Sequence, residues 1–232
     1  MYGAILGDII SFRHKRDESG RCYLVEPKVK FTDYTVSMIA LADALTSVDS
    51  DDMNQLEEKI RQSLTRWGKE YPYVNYGALA RASIIPYIYN DRARIEEVAQ
   101  LSTVITHSDF DNFVNSQFAT LAVFYGMRSS GKNGARNNFE SEIGFEMSAL
   151  IDQKNIVAEA MEAFLNSTDV RSAIENAIAR GGDISVRAII AGSIAEGFTA
   201  CRIRKKKCAI VYCPKACLRF WTDSINFREE IF

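Results

Sequence analysis

Residues 181–198 read GGDISVRAIIAGSIAEGF, and they contain a helix stop, a helix start and an apolar stripe in succession. Gly181 and Gly182 follow Arg180 as glycines follow a helix C-terminus, where a left-handed residue closes the last turn. Asp183 stands where a side-chain oxygen can accept a bond from a free backbone N–H of the next helix. Val186, Ile189, Ile190, Ser193, Ile194 and Gly197 then recur at helical spacing, and the small members of that stripe permit close helix packing.

The same period runs outward through the chain. Met38, Leu41, Ala42 and Leu45 form one stripe, Leu56, Ile60, Leu64 and Trp67 a second, and Val170, Ile174, Ala177 and Ile178 a third. Between them lie breakers: the polar run 49–52, Pro72, and an N-cap signal at 166–169. SSGKNGARNN at 129–138 reads as a loop, with Lys132 and Arg136 as its solvated charges. YLVEPKV at 23–29 has extended character, but Pro27 argues against a central strand. The expectation is an all-α fold: one compact multi-helix domain spanning residues 1–232, with about nine to twelve helices at ordinary helix and loop lengths.

Composition narrows the function classes. The chain has 232 residues, is 47% hydrophobic and 25% charged, and carries a net charge of −2, which gives no global attraction to nucleic acid or anionic membrane. Only RIRKKK at 202–207 is strongly basic, and a solvated helix face is the simpler reading of it. No apolar run is long enough to span a bilayer, and MYGAILGDII lacks a basic region ahead of its apolar stretch, so neither a membrane span nor a signal peptide is expected. Five cysteines, an odd number, suggest a reduced chain in the cytoplasm. Cys208, Cys213 and Cys217 match no common zinc spacing and read as small apolar residues.

Three polar clusters stand out: Leu6-Gly7-Asp8, Thr32-Asp33-Tyr34-Thr35 and Gly181-Gly182-Asp183-Ile184-Ser185-Val186. The first lies between apolar residues and reads as structural. Capping accounts for the other two separately. If the two helix starts converge, Asp33 and Asp183 face one hard cation, with Thr32 and Ser185 as neutral oxygen ligands.

These residues resemble the ADP-ribosylglycohydrolases, which remove ADP-ribose from arginine or serine side chains. GAILGDII is similar to the family's opening helix and FTDYT (31–35) to its F-T-D-D-T. NYGALARAS (75–83) lies where the family has a Gly-Asn-Gly loop and Met-Arg, and VITH (104–107) resembles its Thr-His element. GGDISV followed by GSIAEG is the most specific match, to G-G-D-x-D-T and a Gly-Ser-Ile-Ala-Glu helix.

The resemblance implies an all-α fold and, in active members, two magnesium or manganese ions held by these two motifs. Thr32, Asp33 and Asp183 match ligand positions, whereas Tyr34, Ser185 and Val186 replace the other three. Two divalent ions bring four positive charges, and Tyr34 and Ser185 remove two carboxylates that offset them. At an effective dielectric near 20, charges about 4 Å apart interact by roughly 4 kcal/mol, so the departures weaken the centre substantially. Lys15 falls near the position of a family glutamate, as a possible internal counterion, with Asp17 and Glu18 as alternatives to that glutamate. Gly77 and Arg81 fit a phosphate-cradling loop, although Asn75 and Tyr76 depart from it. Arg81 is expected to pair with a phosphate or with Asp33, His107 with a ligand or with its own helix end, and Tyr34 to fill the lost ion position or turn into the core.

The expected function is recognition of an ADP-ribose-like ligand, an ADP-ribosylated protein or another partner, with at most one weakly bound Mg2+ and little hydrolysis. Asp33 and Asp183 are the residues most tied to any chemistry. A working hydrolase with one magnesium and Asp17 or Glu18 as base is the second reading. A pure interaction module using 202–207 and the aromatic tail FWTDSINF is the third.

Overall fold

The computed structural model describes residues 2–12, 14–16, 22–24, 31–48, 52–71 and 77–206, with backbone alone for 15–16, 22–24 and 200–206. Lys15's side chain, Asp17, Glu18, Asn75, Tyr76, Cys208, Cys213, Cys217 and the aromatic tail therefore lie outside the described residues, as do the side chains of 202–206 and all of residue 207.

The helix that begins at Ile184 is the axis of the molecule. This helix, α11 (Ile184–Lys206), packs against α1 (Tyr2–Phe12), α6 (Phe110–Arg128), α9 (Ile156–Leu165) and α10 (Val170–Ala179). Its Val186, Ile189, Ile190, Ser193 and Ile194 are buried as the stripe requires. Glycine sets the approach of α1: a Cβ at Gly3 would stand 2.0 Å from the Gly192 carbonyl oxygen, and one at Gly7 2.4 Å from that of Ala188. Moving four residues forward on α1 moves four back on α11, so the pair is antiparallel. The end of α1 therefore lies beside the start of α11, where the Ser11 hydroxyl donates to that of Ser185 at 3.2 Å.

On the other side, α2 (Asp33–Ser47) and α3 (Met53–Glu70) form a helical hairpin whose two expected stripes are buried. Asp43 of α2 accepts bonds from Ser63 and the Trp67 indole of α3, which fixes their register. Short α4 (Ala78–Ala82) leads through a 3-10 turn to α5 (Arg92–Val104), which packs on α6. One apolar cluster gathers around α6, α9, α10 and α11 and a second around α1 to α5, with Tyr34 packed against both. Eleven α-helices and one antiparallel pair, β1 (His14–Arg16) and β2 (Cys22–Leu24), make up the regular structure of the described residues, as the all-α expectation required. No helix among them is long and apolar enough to cross a membrane.

One expectation fails. Residues 132–143 are not loop but helix α7 (Lys132–Ile143), followed by short α8 (Met147–Asp152). Glycine and asparagine disfavour a helix locally, but burial of Ala135 and Phe139 outweighs that propensity. Nor is Lys132 a solvated charge. Its ammonium donates to the carbonyls of Phe164 (2.7 Å), Leu165 (3.1 Å) and Ser167, at and just past the end of α9. Arg136 is surface-exposed and paired with Glu140 one turn along. The caps at 166–169 and 180–182 form as expected. Asp169 and Ser172 make a reciprocal capping box, and Gly181 and Gly182 are left-handed at φ 79° and 77°.

Candidate functional site

Asp8 organises the turn that starts α2. Its carboxylate is buried and accepts from the backbone N–H of Thr32 (2.8 Å) and Thr35 (3.3 Å) and from their hydroxyls (2.6 and 2.5 Å). Thr32 is the N-cap and accepts in turn from the Tyr34 N–H at 3.2 Å. Burial pushes the Asp8 carboxyl above the usual range, and the four bonds from the two threonines partly offset it. The structural reading of Leu6-Gly7-Asp8 holds, but its partner is the FTDYT motif itself. The signal available in the sequence was an aspartate inside an apolar helix, which requires buried donors.

Tyr34 stands where the two motifs meet. Its ring lies against Gly77, so close that a Cβ there would be 2.5 Å from Cδ1. Gly77 is the N-cap of α4 with φ 49°, a conformation and a contact that only glycine tolerates cheaply. Burial, and then the negative charges of Asp183, Asp33 and Asp8, push the phenol up to about 12. Three carboxylates from α1, α2 and the start of α11 thus share one electrostatic neighbourhood centred on a neutral phenol. Of the two outcomes expected for Tyr34, packing on the core is the one seen.

This arrangement has a consequence in alkali. The phenol's folded value lies above its ordinary value of 10, so its contribution to stability is complete below pH 10 and is lost as pH rises from 10 to about 12. Carbon-13 tyrosine NMR is expected to show a resonance titrating near 12 that disappears in Tyr34→Phe. If Tyr34 titrates near 10, neither burial nor the three carboxylates acts on it in this way.

At the start of α11, the Asp183 carboxylate accepts from the Val186 N–H at 3.3 Å, and Ser185 receives the Ser11 hydroxyl. Asp183 therefore caps its helix as the sequence suggests, while remaining exposed on the outer side.

A second group lies at the other end of α4. Arg81 is fully buried, and its Nη2 donates to the Ser102 carbonyl and the Thr106 hydroxyl, both at 2.6 Å. The guanidinium is thus engaged at the end of α5. His107 follows, its N–H bonded to the Thr103 carbonyl (2.9 Å) and its Nδ1 to the Thr106 hydroxyl (2.8 Å). Burial first, then the Arg81 charge, hold the imidazole below its ordinary value, against a smaller opposing pull from Asp109. The structure therefore packs Tyr34 on Gly77 within electrostatic reach of Asp33 and Asp183, and links Arg81 to His107 through Thr106.

Comparison with known proteins agrees with this architecture. No curated protein sequence matches the chain. A solved structure described as an ADP-ribosylglycohydrolase-related protein complex superposes with a TM-score of 0.60 over 85% of this chain and 84% of its own, at 16% identity, which is a likeness of fold. The family model of the ADP-ribosylglycohydrolases matches residues 1–195, which include both motifs and every residue of the site just described. The chain belongs to the ADP-ribosylglycohydrolase family.

Proposed function

We propose that this family member recognises an ADP-ribose-like ligand, free or attached to a protein, through a site whose dinuclear metal centre is incomplete, and that it hydrolyses such ligands little. The observation that carries the reading is Tyr34, an uncharged ring packed on Gly77 amid Asp8, Asp33 and Asp183. It occupies the motif position where the family has a second carboxylate.

The donor set supports the same reading. Both Asp8 oxygens are engaged by Thr32 and Thr35, and the Thr32 hydroxyl already donates to Asp8. Ser185 supplies a neutral hydroxyl and Val186 no donor at all. Among the described residues, no three His, Cys, Asp or Glu side chains are grouped as metal ligands. These donors lack the charge and number to hold a pair of divalent ions. A single weakly held magnesium at Thr32, Asp33 and Asp183 is compatible with the oxygen chemistry but lacks ligand charge.

The fold itself does not require the metals. Thr32 caps α2, Asp183 caps α11, and Asp8 ties α1 to α2 through hydrogen bonds. The two helix starts are therefore held by hydrogen bonds and packing within the protein. The test is incubation with ADP-ribosyl-arginine and ADP-ribosyl-serine in magnesium, alongside calorimetric titration with ADP-ribose. Binding with cleavage no faster than the buffer blank is expected. Magnesium-dependent turnover would establish the hydrolase reading instead, and absence of binding would leave the interaction-module reading.

A further inference from the structure

We infer that Arg187 is the positioning residue of the Gly181-Gly182-Asp183 turn, holding Asp183 in place from beneath. The inference rests on the proposal that this turn is part of a ligand site.

Arg187 lies one helical turn after Asp183 and is almost wholly buried, its side chain only 3% exposed. Its Nε donates at 2.8 Å to the Ala177 carbonyl, one of the carbonyls left open at the end of α10. Its Nη1 is ion-paired with Glu159 of α9, itself only 16% exposed. The remaining nitrogen, Nη2, is buried and has no hydrogen-bond partner among the described residues. Above the guanidinium sits Gly182, where a Cβ would be 3.6 Å from Nη1 and 3.9 Å from Nη2.

Two successive left-handed glycines give a turn with little stiffness of its own. A planar, permanently charged group packed under such a turn, and tied to two other helices, restrains it. The ties run to α9 and α10, so the position of Asp183 is set by the body of the molecule. Arg180 adds a parallel tie at the rim through its ion pair with Glu162 of α9. The buried Nη2 donor gives the guanidinium spare capacity directly below the turn, suited to a buried water.

The measurement is amide hydrogen exchange in the full chain, read at Val186, whose N–H is bonded to Asp183, and at Ile60 in α3 as a distant reference. In Arg187→Met, Val186 exchange is expected to rise about tenfold more than Ile60 exchange, with partial recovery in Arg187→Lys. ADP-ribose affinity should fall in parallel by about tenfold. A purely structural role predicts that both amides lose protection equally, and that outcome, like no change at Val186, overturns the inference. Should Arg187→Met fail to fold, Glu159→Gln keeps the shape of the pair and must still raise Val186 exchange selectively. Wild-type protein that does not bind ADP-ribose would sink the ligand reading, while the exchange comparison would still decide the role of Arg187.

Discussion

Converting Tyr34→Asp and Ser185→Asp together is expected to raise affinity for magnesium or manganese by at least about tenfold, measured by calorimetric titration. The double variant supplies the two carboxylates that the motifs lack, in a neighbourhood already containing Asp33, Asp183 and Asp8. Without metal it should be less stable than the parent. Like charges a few ångströms apart repel, and loss of the half-buried ring forfeits roughly 1 kcal/mol of packing. Millimolar magnesium should then restore much of that loss, because an ion that binds only the folded chain stabilises it. In the parent the same addition should change the melting temperature little. If magnesium stabilises both proteins equally, Tyr34 and Ser185 are not what limits the site.

Asp8→Ala should be the most destabilising single change at the site, costing about 3–5 kcal/mol by denaturant unfolding. The carboxylate serves two backbone N–H groups and two hydroxyls, those of Thr35 buried and those of Thr32 half-buried. Alanine leaves these donors without an acceptor, and each unsatisfied buried donor costs roughly 1–3 kcal/mol. Asp8→Asn retains one oxygen for the backbone donors and should lose less than half as much. The variant pair also tests pH dependence. Because the Asp8 carboxyl is held above its ordinary value of 3.8, stability from its protonated form is complete below that value and declines as pH rises through the folded value. Asp8→Asn should flatten that decline. Equal stability of parent and Asp8→Ala would mean that the start of α2 is held by something other than these bonds.

The helices were legible because their stripes are strict. Leu56, Ile60, Leu64 and Trp67 repeat without a break and are all buried. Residues 132–143 were not legible, since their local composition favours a loop and only tertiary burial of Ala135 and Phe139 makes them helical. At the site, Thr32 and Asp183 were readable as caps because capping is local, acting two or three residues away. The bonds from Thr32 and Thr35 to Asp8 span 24 and 27 residues, and the packing of Tyr34 on Gly77 spans a longer interval still. Spacing in one sequence carries no record of such pairings. Arg187 was invisible for a similar reason: within a helical stripe it looks like an exposed charge, and only Ala177 and Glu159 make its burial affordable.

The most direct test of an incomplete centre that still recognises its ligand is ADP-ribose titration of the parent protein in EDTA and again in millimolar magnesium. Equal dissociation constants in the two buffers are the predicted result, because the helix caps and Tyr34, not metal ions, hold the two motifs. Binding that appears only in magnesium, or tightens by about tenfold or more in it, would contradict the account, since a change of that size is about 1.4 kcal/mol of ligand affinity supplied by metal.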